Sequence, residues 1–167
     1  MSYTEMLGVM QQKNSTMGQY ADCYVLTNNR TRKFVDDFLS TFIPNRKEQA
    51  DLYEIPMHGE KTIEEFDSAD KLIDYLELNA NTPHTIYWEN RDNNQIRFAN
   101  CFFTDDNNLI IGLGCDADKR MEDELLKKLM DYCGSTDGYI AYEQPAPHNS
   151  SEFKMVVRST NAQQNVP

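Results

Sequence analysis

The pattern of apolar and polar positions predicts alternating strands and helices in one folded unit. Residues 20–26 are apolar on both sides of a predicted strand, with Cys23 and Val25 on one side and Tyr24 on the other. Such a two-sided pattern is typical of an interior strand. A helix follows, because apolar residues recur at helical spacing until Pro44 forbids its continuation. These apolar residues are Phe34, Val35, Phe38, Leu39 and Phe42.

The most regular part of the pattern predicts a β-meander over about residues 84–114. Three apolar runs, HTIYWE, QIRFANCFF and LIIGLG, are separated by the turn-forming segments RDNN and TDDNN. Alternation predicts that Ile86 and Trp88 face one side of the first strand, whereas Tyr87 and Glu89 face the other. In the second strand, the pattern predicts a shared face for Ile96, Phe98 and Phe102.

Further elements on either side of the meander complete the predicted fold. A helix begins at Asp67 or Ser68, and another spans about residues 119–133 and stops at Gly134. Short strands are predicted in LYEIP and KTIEEF, over 139–142 and over 153–157. This order predicts an α+β fold, with a mixed, largely antiparallel sheet and about three helices packed mainly on one of its faces.

The length and the patterning predict a single globular domain over residues 19–158. Residues 1–18 show no sustained periodicity and are interpreted as a flexible N-terminal arm, and residues 159–167 as a frayed C-terminal tail. The first residues, MSYTEMLGVMQQK, contain neither a basic leader nor a long apolar core, and no stretch is apolar enough for a membrane span. We therefore expect a cytoplasmic protein with no membrane partner.

The charge of the chain restricts its partners further. Its 167 residues include 16 Lys+Arg and 27 Asp+Glu, which gives a formal net charge of −11 that is spread over both halves. A nucleic-acid partner is not expected, because phosphate binding requires a basic patch. A basic protein is a better partner, since a negative field attracts it, although an acidic surface also serves solubility alone.

Acidic residues on either side of the strand LIIGLG are the first candidate site. Asp105 and Asp106 precede the strand, and Asp116 and Asp118 follow it, so that their carboxylates could ligate Ca²⁺ or Mg²⁺. A strand of this length rises about 20 Å, so its two ends cannot share one ion. The same residue types also form turns and helix caps, and we therefore expect no metal site and no cofactor.

Tyr87 and Glu89 are the second candidate site. An exposed tyrosine beside a carboxylate is typical of a protein interface, although this strand face could instead be covered by a helix. The three histidines, His58, His84 and His148, lie in separate segments without metal-ligand spacing. The cysteines, which form no CxxC pair, are expected to be buried free thiols: Cys23, Cys101, Cys115 and Cys133.

These observations favour a non-enzymatic protein-binding domain with an acidic surface. In size and charge alone, the chain is similar to the immunity proteins with which bacteria neutralise basic toxins, which implies an immunity-like or inhibitory role towards a basic partner. Tyr87, Glu89, Asp105 and Asp106 are the candidate partner-binding residues. The alternative is a small metal-assisted hydrolase that uses the acidic loop residues Asp105, Asp106 or Asp116. A homo-oligomer is compatible with either function.

Overall fold

The computed structural model describes residues 20–165, and the predicted arm over residues 1–18 lies outside the described residues. Eight strands and four helices occur in this part of the chain. In chain order they are β1 (Tyr20–Thr27), α1 (Arg32–Phe42), β2 (Arg46–Glu48), β3 (Tyr53–Ile55), β4 (Glu64–Phe66), α2 (Ala69–Leu78), β5 (His84–Asn90), β6 (Ile96–Phe103), β7 (Leu109–Asp116), α3 (Lys119–Cys133), β8 (Gly138–Tyr142) and α4 (Ser150–Gln164).

Six of the strands form one sheet in the order β2-β5-β6-β7-β1-β8, and every neighbouring pair is antiparallel. The strands β3 and β4 form a separate hairpin. The predicted α+β class, the largely antiparallel sheet and the central meander are thereby confirmed. None of the four helices within residues 20–165 combines the length and the apolar character that crossing a membrane requires.

The two faces of the sheet carry separate hydrophobic cores. The first face, which bears Cys23 and Val25, is covered by α1, α2 and α3 through Phe38, Leu72 and Leu129, among others. The second face bears Tyr24, Leu26 and Phe102 and is covered by α4 through Phe153 and Val157. Three helices therefore cover one face, as predicted, and the fourth packs on the other.

The strand predicted over residues 153–157 is wrong, because this segment belongs to α4. Asn149 caps the helix by accepting a hydrogen bond from the Glu152 amide at 2.9 Å. Phe153 and Val157, one helical turn apart, are both buried on the second face. The helix continues to Gln164 and includes most of the predicted C-terminal tail. The segment NSSE just before Phe153 is a capping pattern that marks this helix start.

The predicted shared face of Ile96, Phe98 and Phe102 is wrong for Ile96. The register of β6 against β7 shifts between Ile96 and Phe98, so that Ile96 pairs with Cys115 and Phe98 pairs with Gly114. This bulge adds one residue to β6 and turns Ile96 towards the first face. The Phe98 ring lies over Gly114, where an added Cβ would come within 2.0 Å of it.

All four cysteines are free thiols, as predicted, and they lie in or beside the first core. Cys23, Cys101 and Cys115 are buried, and Cys133 is half-buried. Burial raises the pKa of Cys101 far above its ordinary value and raises that of Cys133 to about 12. These two thiols therefore stay protonated at neutral pH.

A buried arginine joins the loops at one end of the sheet. Arg30, only 5% exposed, lies between β1 and α1 with its guanidinium carbon 5.0 Å from the centre of the Phe103 ring. Burial lowers its pKa to about 10, so it carries its charge at neutral pH. Its guanidinium donates hydrogen bonds to the carbonyl oxygens of Leu76 (3.2 Å), Asn79 (3.3 Å), Thr82 (2.7 Å), Thr104 (2.8 Å) and Asn108 (3.1 Å).

We expect Arg30→Ala to lower the free energy of unfolding by about 3 kcal/mol or more, because interior carbonyls lose their charged donor. Arg30→Lys is expected to recover only part of this loss, since an ammonium group cannot span the same set of acceptors. Urea unfolding at neutral pH measures both. The control Lys33→Ala removes an exposed pair with Asp37 and is expected to change nothing measurable. A loss of less than about 1 kcal/mol in Arg30→Ala would contradict this role.

Candidate functional site

A cavity of about 500 Å³ opens between the β3–β4 hairpin and the second face of the sheet. Its walls come from the segment between β2 and β3, from the hairpin, from β5 and β6 and from the loop that joins β8 to α4. The lining residues are Gln49, Ala50, Leu52, Tyr53, Glu54, Met57, His58, His84, Thr85, Tyr87, Phe102, Pro145, Ala146 and His148. Most are apolar or aromatic, which is the usual character of a ligand pocket.

Apolar side chains are exposed in this cavity. Leu52 is 52% exposed and Tyr87 is 38% exposed, whereas Phe102 and Ala146 are buried beneath them. The rings of Tyr87 and Phe102 meet edge to face, with centroids 6.0 Å apart, which fixes the tyrosine in place. Burial and the charge of Asp22 raise the pKa of Tyr87, so its hydroxyl remains a proton donor at neutral pH.

All three histidines of the chain line this one cavity. His58 lies in the loop between β3 and β4 with a left-handed φ of 61°, His84 begins β5, and His148 lies just before α4. This cluster is not evident from the sequence, because the docking of the hairpin and the path of the loop depend on tertiary contacts. Within residues 20–165, no group of three or more His, Cys, Asp or Glu side chains is placed to hold a metal ion.

His84 is the buried member of the three histidines. Its Nδ1 lies 3.1 Å from the Thr85 carbonyl oxygen and its Nε2 lies 3.0 Å from that of Glu54. Burial lowers the pKa of His84, and the charge of His58 lowers it further, although the two carbonyl groups oppose this shift. The neutral ring donates to only one of the two carbonyls, and it ties β5 to the β3–β4 hairpin.

Two of the predicted partner-binding residues lie on β5, one of them at the cavity. Tyr87 lines the cavity, and Glu89 is exposed on the same face of the strand, about 7 Å further along it. Ile86 and Trp88 face the opposite, first core, as the alternation predicts. The structure leaves this end of the second face exposed to solvent at Tyr87 and Glu89.

The other two predicted residues, Asp105 and Asp106, lie in the turn between β6 and β7. The Asp105 side chain is exposed, and its amide donates to the His148 carbonyl at 3.4 Å. Asp106 accepts hydrogen bonds from the amide, at 3.0 Å, and from the hydroxyl of Ser150. Although partial burial raises its pKa, hydrogen bonds from Ser150 and Thr104 lower the pKa of Asp106 to about 2. Asp106 thus anchors the start of α4.

Asp116, the remaining acid of the hydrolase alternative, lies at the far end of β7. It accepts hydrogen bonds from the Arg97 guanidinium at 2.5 Å and 3.1 Å. This ion pair lowers the pKa of Asp116. The acid at one end of β7 is therefore held by an arginine, and Asp106 at the other end by a helix start.

Two buried polar side chains lie on the second face, Asp22 on β1 and Asn100 on β6. Asp22 is 6% exposed, and burial raises its pKa to about 6, although a hydrogen bond from the Glu143 backbone opposes the shift. Asn100, the cross-strand neighbour of Tyr87, is 1% exposed, and its Oδ1 has no hydrogen-bond partner in the described part of the chain. Among the described residues, the second face thus carries a buried polar atom without a hydrogen-bond partner.

The hydrogen bonds of the described residues connect none of the three histidines to a carboxylate or to a nucleophilic side chain. The cavity is lined mostly by apolar and aromatic side chains, with a few polar groups among them, as ligand-binding cavities commonly are. Comparisons with models of known protein families, with curated proteins and with solved structures find nothing that matches this chain. The candidate site is therefore described from the residues and distances of this structure alone.

The burial of His84 predicts a pH dependence of stability. The unfolded ring titrates near pH 6.5, whereas the folded ring has a lowered pKa, so stability is full above about pH 6.5 and falls as the pH drops through the folded value. We expect His84→Gln to lose less stability than the wild type between about pH 7.5 and pH 5 by urea unfolding. The control His148→Gln makes the same substitution at an exposed histidine of the same cavity. A His84→Gln profile parallel to the wild type would contradict the prediction.

The raised pKa of Asp22 predicts the opposite dependence. The folded carboxyl titrates near pH 6 and the unfolded one near 3.8, so folding is penalised once the pH exceeds the folded value. We expect Asp22→Asn to be more stable than the wild type by roughly 2 kcal/mol at about pH 8, with the difference disappearing towards pH 4. Urea unfolding of this variant, with the exposed Asp105→Asn as control, measures the effect. An equally or less stable Asp22→Asn at pH 8 would show that the carboxylate is compensated.

Proposed function

We propose that this protein is a non-enzymatic binding protein whose cavity on the second face receives an apolar side chain of a basic protein partner. The observation that carries the proposal is the open cavity of about 500 Å³ in which Leu52 and Tyr87 remain exposed. Exposed aromatic and aliphatic groups around a concave apolar site are typical of the centre of a protein interface.

The charge around the cavity supports a basic partner. Asp51, Glu54, Glu89 and Asp105 are exposed on segments that line or adjoin the cavity. The residues that line it include no Lys or Arg. With a net charge of −11 on the whole chain, this surface attracts a cationic partner and disfavours an anionic one. The partner would bring an apolar anchor flanked by basic residues.

The cavity also explains why a protein is a better occupant than a free small molecule. Leu52 and Tyr87 stay half in solvent in the isolated chain, so a small ligand inside the cavity would leave part of this apolar surface hydrated. A protein partner covers the rim as well as the cavity, and excluding water from the rim strengthens the central contact. A cytoplasmic inhibitor that neutralises a basic partner, as immunity proteins do, is the role that this combination favours.

We expect the partner to be captured on immobilised protein from a lysate of the source organism at about 50 mM salt and to be released at about 500 mM. Tyr87→Ser and Leu52→Ser should each weaken retention about tenfold or more, because they remove the apolar contact at the cavity. The control Leu78→Ser removes a side chain that is 86% exposed outside the cavity and should retain the partner.

Two outcomes would count against the proposal. A captured protein that is equally retained by Tyr87→Ser and Leu52→Ser would show that the cavity is not its binding site. A partner whose binding is insensitive to salt would show that the acidic surface does not attract it. Circular dichroism of each variant confirms that a loss of binding does not follow from a loss of structure.

A further inference from the structure

The geometry points to a second interaction surface, at the free edge of β8, where we propose that a second copy of this chain pairs its own β8. This strand is the last in the six-stranded sheet and, within residues 20–165, has β1 as its one neighbouring strand. Its sequence, GYIAY, contains no charge and no proline. The opposite edge, β2, is shorter and reads RKE. Charged and short edge strands resist pairing, and β8 has no such protection.

The backbone of β8 presents hydrogen-bonding groups at this edge. The Leu26 amide donates to the Asp137 carbonyl at 2.9 Å, and the register between β1 and β8 then continues without a bulge. In an antiparallel strand, every second residue directs its backbone groups towards a given neighbour. Because Asp137 bonds to β1, Tyr139 and Ala141 do so as well, and the N–H and C=O groups of Gly138, Ile140 and Tyr142 point away from β1. An extended strand is the structure that satisfies such a row of donors and acceptors.

A groove lies beside the edge of β8. A groove of about 530 Å³ follows β8 between α3 on one side and α4 on the other. Leu126 and Met130 of α3 and Thr160 and Gln164 of α4 contribute to its walls. The groove therefore offers a floor of backbone groups and two mostly uncharged walls.

The groove is nearly neutral, which distinguishes its occupant from the basic partner of the cavity. Lys119 and Asp123 are the charged residues that line it, and they form an ion pair at 2.7 Å. A basic segment would gain no complementary charge here. Two copies of a chain with a net charge of −11 repel each other over most of their surfaces, and a locally neutral edge lets them approach.

The strand β8 can pair with a second copy of itself in a symmetric register. In an antiparallel pair about a two-fold axis at Ile140, Gly138 of one copy lies opposite Tyr142 of the other, and the two Ile140 residues face each other. These three residues share the first face of the sheet, because they alternate with Tyr139 and Ala141 of the second core. The Tyr142 side chain, 42% exposed, donates a hydrogen bond from its hydroxyl to the Glu122 carboxylate of α3 and so stays on the α3 side of the edge.

Sedimentation equilibrium between about 10 and 500 µM tests the pairing through its concentration dependence. We expect the wild-type mass to rise towards twice the chain mass of 19.4 kDa and to fall on dilution. Ile140→Lys, which places two like charges opposite each other, should stay at the mass of a single chain. The control Met155→Lys changes a residue that is 64% exposed on α4 and should associate like the wild type.

Amide hydrogen exchange of the wild type provides a second measurement that does not depend on the folding of a variant. The Ile140 amide should exchange about tenfold or more slowly at the highest concentration than at the lowest, whereas the Tyr139 amide, bonded to β1, should not change. A single-chain mass at all concentrations, or a dimer in which the Ile140 amide stays unprotected, would overturn the proposal. Protection of Ile140 that is independent of concentration would also overturn it, because the edge would then be covered within one chain.

Discussion

The rest of the structure depends on one buried cation. Arg30 has no carboxylate within salt-bridge distance in the described part of the chain and is instead surrounded by backbone carbonyls. Two of these, from Leu76 and Asn79, belong to the end of α2, where the negative end of the helix dipole favours a positive charge. The others belong to the loop before β5 and to the turn between β6 and β7. The guanidinium therefore joins the end of α2, in the helix layer of the first face, to the β6–β7 turn of the meander.

The turn between β6 and β7 also holds the helix that covers the second face. Arg30 holds its two ends through the carbonyls of Thr104 and Asn108, and Asp106 at its tip accepts from Ser150 at the start of α4. The neighbouring Asp105 amide contacts the carbonyl of His148, which lies at the cavity. One chain of contacts thus runs from the interior cation through the turn to the cavity loop. Asp106, one of the acids that look like ligands in the sequence, is a structural connection of this kind.

The features that sequence reasoning predicted are those with a local cause. The helix over residues 119–133 has a cap at Asp118 and a left-handed Gly134 at its end, and both follow from the conformational preferences of those residue types. The interior strand β1 follows from apolar residues on both of its sides. The cavity is different, because His58, His84 and His148 are distant in sequence and meet through the docking of a hairpin and a loop. The bulge beside Ile96 likewise depends on the partner strand β7, against which the register shifts.

The two proposed surfaces are compatible with each other because charge acts locally in water. Screening at physiological salt reduces the interaction of exposed charges beyond about 8 Å, so the sign around each surface matters more than the net charge. The cavity lies over β5 and β6, and the free edge of β8 is separated from β6 by β7 and β1, a distance of roughly 14 Å at about 4.8 Å per strand. Pairing at a neutral edge would therefore leave the acidic cavity open. Two copies joined in this way would present two cavities, and a partner with two equivalent basic sites would be bound with avidity rather than through a stronger single contact.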